Sequence, residues 1–172
     1  MIYLATLIIF IAWAAAVAMC DCRSRRIPHS LVAAGLAAAF LCALLKAGPF
    51  NVSAGHALLG AVAGLLALLP FFALGVMGAA DVKVFSVLGA WCGASALPGL
   101  WIIASIAGGL HALWLLTAAR TRLARSGSLT SRGQRNDPAI ALAGKAATPY
   151  GACLSLAAFV WLAVHIHHGG AP

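Results

Sequence analysis

The sequence predicts an all-α integral membrane protein, a bundle of six membrane-spanning helices. Its 172 residues are 63% hydrophobic and 8% charged, with a mean hydropathy of +1.01, a composition that excludes an ordinary soluble domain. A helix needs about 20 apolar residues to cross a bilayer, and six runs approach that length, at approximately 2–20, 30–47, 56–76, 80–97, 99–119 and 148–166. Because these runs fill most of the chain, we predict one membrane domain over residues 1–172.

The first three runs each carry a feature that supports a helix. Run 2–20 has no basic residue before its apolar stretch, so it is interpreted as a retained helix and not as a signal peptide. Pro28 precedes the second run and suits the first turn of a helix. In the third run, Gly60-Ala-Val-Ala-Gly64 forms a surface of small residues on which another helix can pack closely.

The last three runs differ in strength. The fourth is the weakest, because it is short, contains glycine and begins beside Asp81. The fifth and sixth are clear apolar runs, and residues 120–147 between them form the one extended polar stretch. The five tryptophans of the chain are predicted to lie in the belts that aromatic residues form at membrane interfaces.

The basic residues predict the orientation in the membrane. With six spans, ten of the eleven lie on one side, and the other side has only Lys46. Cytoplasmic loops are enriched in Lys and Arg, so this side is predicted to be cytoplasmic and both termini to lie outside the cytoplasm. The formal charge of +8 is therefore interpreted as a topology signal and not as a sign of nucleic-acid binding. We expect the basic loop 120–147 to meet anionic lipid headgroups.

The chain has only three acidic residues, Asp21, Asp81 and Asp137. Asp137 precedes a proline and is interpreted as a turn former. A carboxylate at the centre of a transmembrane helix costs roughly 2.5–3.5 kcal/mol, so an aspartate inside apolar sequence favours a functional role. The predicted topology brings Asp21 and Asp81 to the same membrane face. Two neighbouring carboxyls can share a catalytic water, one taking its proton while the other donates to the scissile carbonyl.

The residues around Asp81 fit a site that a substrate approaches closely. Gly78, Ala79 and Ala80 precede it, and their small side chains leave space for backbone or substrate. Lys83 lies two residues after Asp81, so on a helix it points elsewhere. We therefore predict that Lys83 anchors the chain at the interface and does not pair with Asp81.

These segments resemble the type IV prepilin peptidases, membrane aspartyl proteases of the GxGD class. In that family one aspartate lies shortly before an Ile-Pro-Asn turn, as Asp21 lies before Ile27-Pro28-His29. A second aspartate lies in a Gly-x-Gly-Asp-x-Lys segment, which residues 78–83 match except that Ala80 replaces the second glycine. If Ala80 had to adopt a left-handed conformation, it would cost roughly 1–2 kcal/mol relative to glycine. Pro149-Tyr150-Gly151 resembles a further family segment.

The resemblance implies an endopeptidase of the bacterial cytoplasmic membrane that removes the basic leader of prepilins and pseudopilins. The chain looks like the short form found with Flp-type pili, without the methyltransferase and zinc-binding domain, and it implies no metal and no cofactor. It also implies site residues, in three groups: catalytic Asp21 and Asp81; Gly78, Ala79, Ala80 and Lys83 shaping the loop; and Arg26, Pro28, Pro149, Tyr150 and Gly151 in support.

Two other functions remain open from the sequence. A relative inactivated by Ala80 would act as an assembly scaffold, and a small transporter would use Asp21 and Asp81 as a proton relay. The relay is disfavoured, because the outer half of the predicted bundle contains no acid. His165, His167 and His168 are predicted not to bind a metal, since no carboxylate or cysteine completes the set.

Overall fold

The computed structural model describes residues 2–24, 26–125 and 150–167, with the backbone alone over 119–125. Within these residues the secondary structure is helical, which confirms the predicted all-α class. The elements are α1 (Ile2–Ser24), α2 (His29–Leu44), α3 (Ala54–Ala73), α4 (Ala79–Cys92), a 3-10 helix (Ala94–Ala96), α5 (Leu97–Arg125) and α6 (Tyr150–His167).

Four segments are long and apolar enough to cross a membrane. They are α1, α3, the stretch Ala94–Ala118 that includes most of α5, and α6. By contrast, α2 has 16 residues and α4 has 14. A helix of 14 residues is about 21 Å long, less than the roughly 30 Å of a bilayer's hydrocarbon core. The arrangement with six full spans therefore stays a prediction.

Large apolar side chains cover the outside of the long helices. On α1 and α3 the exposed ones include Ile2, Leu4, Ile8, Leu58, Leu59 and Leu66. Soluble monomers rarely expose so much contiguous apolar surface, whereas lipid tails are as apolar as leucine. This surface is what a lipid-facing bundle requires.

The predicted boundary between the fourth and fifth runs is wrong. The fourth run was expected to continue to residue 97, but α4 ends at Cys92. Gly93 adopts φ 82° and ψ 164°, a backbone conformation that is open to glycine and that side-chain-bearing residues rarely adopt, so the helix stops there. The 3-10 helix then leads directly into α5. α1 is also longer than the predicted run 2–20, because the helix continues through Asp21 to Ser24.

Helix α4 is the centre of the bundle. Nine of its residues are buried, and α3, α2 and α6 pack around it. α3 comes so close that a Cβ at Gly60 would overlap the carbonyl of Gly89, and one at Gly64 would lie 2.8 Å from the carbonyl oxygen of Phe85. The predicted close-contact role of these two glycines is confirmed. The Ser86 hydroxyl adds a 2.7 Å hydrogen bond to the Ala61 carbonyl.

Two of the five tryptophans, which were predicted to lie in interfacial belts, are buried inside the bundle. Trp13 is buried, covers Gly35, and its indole N–H donates to the Leu31 carbonyl at 2.9 Å. Trp91 is buried against Phe10, with ring centroids 5.2 Å apart. Both rings therefore fill the interior of the bundle.

Candidate active site

One end of the bundle gathers the segments that the sequence singled out. The end of α1 lies there with the starts of α2, α4 and α6. Two contacts join these helices: the backbone N–H of Ala152 at the start of α6 donates to Asp21, and Lys83 of α4 contacts His29 of α2. Asp81 of α4 lies close enough to Asp21 of α1 for their charges to repel.

Asp21 is buried in the last turns of α1, with 7% of its surface exposed. Its Oδ2 accepts a 2.9 Å hydrogen bond from the backbone N–H of Ala152. The first N–H groups of a helix have no partner within the helix, and the start of a helix favours negative charge. The start of α6 is therefore suited to hold Asp21 as a carboxylate.

Gly151 gives the Asp21 carboxyl its space. A Cβ built at Gly151 would lie 3.0 Å from Asp21 Oδ2 and 3.1 Å from Ile27 Cδ1. These distances are shorter than ordinary van der Waals contact. A larger residue would have to displace either the carboxyl or the Ile27 side chain, so the approach of α6 to α1 depends on glycine here.

Asp81 lies in the first turn of α4. Gly78 caps the helix in an extended conformation, and its carbonyl accepts a 3.1 Å hydrogen bond from the Asp81 N–H. A Cβ at Gly78 would lie 3.2 Å from Asp81 Oδ2, so this glycine also leaves room for a carboxyl. Asp81 is partly buried, and its carboxyl lies within electrostatic range of Asp21.

Three of the four residues expected to shape a loop around Asp81 are helical instead, and Gly78 caps the helix that they belong to. Ala79 begins α4, and Ala80 and Lys83 continue it. Among the described residues other than glycine, positive φ angles occur at Lys46 and Asn51, so Ala80 does not adopt a left-handed conformation. The expected cost of alanine at this position does not arise, because the turn is made before Ala79.

Lys83 connects α4 to α2. Its Nζ lies 3.3 Å from Nδ1 of His29, the first residue of α2. Pro28 precedes His29 as the N-terminal capping residue, in an extended conformation. The residue that replaces the asparagine of the family pattern is thus the one that Lys83 contacts. The sequence predicted that Lys83 would not pair with Asp81, and the structure shows it in contact with His29.

The residues predicted to support the site lie in two parts of the structure. Tyr150 and Gly151 start α6 beside the aspartates. Arg26 is an exposed residue of the connection between α1 and α2, where its carbonyl accepts a hydrogen bond from the Ser24 hydroxyl at 3.1 Å. Pro149 lies outside the described residues, as does the basic loop from residue 126 onward.

The histidines near the C-terminus lie away from this end. The His165 ring packs against Phe50, with centroids 5.2 Å apart, and Phe50 in turn contacts Phe10. His168 lies outside the described residues. Within the part of the chain that the structure describes, no three His, Cys, Asp or Glu side chains are grouped as they would be to hold a metal ion.

Two participants were not predicted from the sequence. The backbone N–H of Ala152 holds Asp21, and the Ser105 hydroxyl lies 3.4 Å from the hydroxyl of Tyr150. Pro149, near the start of the sixth apolar run, is the type of residue that begins helices, and it signals that free N–H groups follow. No comparable signal marks Ser105, which lies inside an apolar run.

A model of the type IV leader peptidase family matches residues 8–113 of the chain. The match covers more than half of the 172 residues and includes both Asp21 and Asp81. Tyr150 and Gly151 lie beyond it. No curated protein and no solved structure matches the chain.

Proposed function

Because the chain belongs to the type IV leader peptidase family, we propose that it is a membrane aspartic endopeptidase that removes the basic leader of Flp-type prepilins or pseudopilins. The observation that carries this proposal is the pairing of Asp21 and Asp81 at one end of the bundle. The two aspartates are 60 positions apart in the sequence and lie on different helices, and their carboxyls are close enough for one charge to act on the other. Each carboxyl also has a glycine beside it that keeps its surroundings open.

The proposed reaction uses the two carboxyls in different roles. Asp21 accepts a backbone hydrogen bond, which stabilises its charged form, so it acts as the base. Two close carboxyls do not easily ionise together, and Asp81 therefore carries the shared proton.

The peptide bond would break in two steps. Asp21 takes a proton from water, the water oxygen bonds to the scissile carbonyl carbon, and Asp81 donates its proton to the carbonyl oxygen. Collapse of this tetrahedral intermediate breaks the C–N bond. The proton held by Asp21 goes to the leaving amine, and the intermediate's hydroxyl proton returns to Asp81. General acid–base catalysis of this type contributes about 10²–10⁴-fold to a rate.

The surrounding residues would position this pair. Gly78 and Gly151 leave space for the two carboxyls. The small side chains of Ala79 and Ala80 leave space for substrate beside the first turn of α4. Lys83 holds the start of α4 against α2 through His29. Arg26, with its neighbours in the basic sequence after α1, supplies positive charge at the same end of the bundle.

We propose that this end faces the cytoplasm of a bacterial cell, in the inner membrane. Ten of the eleven basic residues then lie on the cytoplasmic side, in accord with the positive-inside rule. In this arrangement all six helices are embedded in the membrane as a single domain, both termini lie outside the cytoplasm, and the basic loop 120–147 meets anionic headgroups. A reporter fused within residues 126–136 should report the cytoplasm, and one fused after Pro172 the outside.

The direct test is cleavage of a co-expressed candidate prepilin. Asp21→Asn and Asp81→Asn should each abolish cleavage while the protein stays in the membrane, because a neutral amide cannot accept the proton of water or replace the acid. Asp137→Asn is the matched control, since it removes the third aspartate of the chain, and it should cleave normally. Normal processing by either of the first two variants would contradict the dyad.

The same experiment separates the alternative functions. A scaffold would support pilus assembly without cleaving any prepilin, and it would tolerate both Asn substitutions. A proton-coupled transporter would lose transport in those variants and would process no prepilin.

A further inference from the structure

The first turn of α6 reaches both aspartates of the pair. The backbone N–H of Ala152 donates to Asp21, and the hydroxyl of Tyr150 lies close enough to Asp81 for the charge of that carboxyl to act on it. Gly151, between them in the sequence, abuts Asp21. The reaction proposed above uses both carboxyls, and the Tyr150 hydroxyl has no step in it.

The Tyr150 hydroxyl lies near Asp81 without bonding to it. Within the part of the chain that the structure describes, its hydrogen-bonding partner is Ser105 of α5, with the two oxygens 3.4 Å apart. This distance is long for two hydroxyls, and catalytic hydrogen bonds are often long until substrate binds. The Tyr150 hydroxyl is therefore beside one carboxyl of the pair and able to turn its proton toward a third group.

Ser105 differs from two other hydroxyl residues in the same helices. Thr117 of α5 and Ser155 of α6 each donate to a carbonyl of their own helix, at 2.9 and 3.0 Å, which is a common choice for Ser and Thr inside helices. Ser105 instead faces Tyr150 across the contact between α5 and α6. There it can donate its own proton to the Tyr150 oxygen, which leaves the Tyr150 proton to point away from α5.

Open space lies next to both hydroxyls. Ser105 and Tyr150 line a cleft of about 380 Å³, and the other lining residues carry neither a hydroxyl nor a charge. A Cβ built at Gly109, also in the lining, would have no atom within 4 Å. The cleft leaves room for a peptide beside the two hydroxyls, and its low polarity strengthens any hydrogen bond that they make.

We propose that Tyr150 is a third catalytic residue, whose hydroxyl donates a hydrogen bond to the scissile carbonyl oxygen, and that Ser105 is a positioning residue that directs this hydroxyl. The proposal rests on the peptidase function proposed above. The carbonyl oxygen must lie next to Asp81 to receive its proton, so it comes within reach of Tyr150 as well. A donor that is in place when negative charge develops on an oxygen stabilises the transition state more than the ground state.

This role leaves the proton transfers of the reaction unchanged. Asp81 remains the acid and Tyr150 keeps its proton throughout. The hydrogen bond strengthens as water attacks and weakens again when the C–N bond breaks and the carbonyl forms anew. Lys83, the charged donor nearest to Asp81 in the sequence, contacts His29 and is not needed for this step.

The test measures kcat and KM for Tyr150→Phe, with purified enzyme and a synthetic leader peptide. Phenylalanine keeps the ring and removes only the hydroxyl. The kcat should fall about 10²-fold, the effect of removing one such donor. KM should stay within about twofold of the parental value, because the bond is made in the transition state. A role limited to packing of α6 would instead raise KM or lower the Tm and leave kcat unchanged, which would overturn the proposal.

Ser105 is tested by variants that remove or keep its hydroxyl. Ser105→Ala should lower kcat about fivefold, the effect of one neutral hydrogen bond, and Ser105→Thr should restore the parental value. In the Tyr150→Phe background Ser105→Ala should cause no further loss, because Ser105 acts through the Tyr150 hydroxyl. Thr117→Val is the matched control, since it removes a hydroxyl of the same helix that bonds to the Trp114 carbonyl, and its kcat should equal that of the parent.

The results separate this inference from the function on which it rests. A parental kcat for Tyr150→Phe would overturn the catalytic role of Tyr150 and leave the peptidase intact. If Tyr150→Phe fails to accumulate, the same kcat for Ser105→Ala, Ser105→Thr and the parent would overturn the proposal in its place. A further loss in the double variant would overturn the positioning role of Ser105. A parent that cleaves no prepilin and no leader peptide would overturn the peptidase function itself.

Discussion

The backbone N–H of Ala152 donates a 2.9 Å hydrogen bond to the buried carboxyl of Asp21, across 131 positions of sequence. This bond ties the last helix of the bundle to the first. It also gives one carboxyl of the pair a partner that favours negative charge. The two aspartates therefore have different surroundings, which is what separate acid and base roles require.

Gly151→Ala should impair cleavage while leaving the protein in the membrane. The added methyl would lie 3.0 Å from Asp21 Oδ2, so the carboxyl or α6 must shift by a few tenths of an ångström. Because a misplacement of 1 Å can cost about 10²-fold in rate, we expect a loss of about 10-fold. The loss should appear in kcat, measured with purified enzyme and a synthetic leader peptide.

Gly55→Ala serves as the control for that measurement, since its methyl meets no neighbour. The same kcat for Gly151→Ala and the parent would mean that the Asp21 carboxyl does not need its present position.

The contact between Lys83 and His29 should behave as a coupled pair. Their nitrogens are 3.3 Å apart on a largely exposed surface, where such interactions are worth at most about 1 kcal/mol. His29→Ala and Lys83→Ala should each reduce cleavage about 2–5-fold, and the double variant should lose no more than either alone. His29→Asn should retain most of the activity, because its amide oxygen can accept from Lys83. Losses that multiply in the double variant would show that the two side chains act independently.

Gly60→Ala should destabilise the bundle without touching the aspartates. Its methyl would overlap the Gly89 carbonyl at the contact between α3 and α4, and overpacking of this kind costs typically about 1–3 kcal/mol. We expect a lower Tm in detergent, with Gly55→Ala unchanged or slightly more stable. A parental Tm for Gly60→Ala would mean that the two helices can separate at little cost.

The length of the apolar runs was enough to predict that these helices are present, but it did not predict where each helix ends. The runs at 56–76 and 148–166 correspond closely to α3 and α6. The end of α4 was missed because the apolar sequence continues past it. Gly93, which ends the helix through its positive φ, is one of 18 glycines in the chain, and composition does not distinguish it from the others.

For the site, chain topology predicted more than local sequence did. Asp21 and Asp81 were expected at one end because the helices between them pass out and back, and the structure brings their carboxyls within electrostatic range. The left-handed conformation considered for Ala80 was wrong, because the helix already begins at Ala79. The Ser105 hydroxyl could not be foreseen, since its nearness to Tyr150 depends on how α5 and α6 pack.

Three consecutive residues at the start of α6 have three separate tasks. The Tyr150 hydroxyl lies 3.4 Å from that of Ser105 on α5, Gly151 makes room for Asp21, and Ala152 binds it. A substitution in this tripeptide would disturb either the contact with α5 or the Asp21 carboxyl, so natural variation has little freedom here. We therefore expect relatives of this chain to keep the start of α6 where the lipid-facing surfaces of their helices vary.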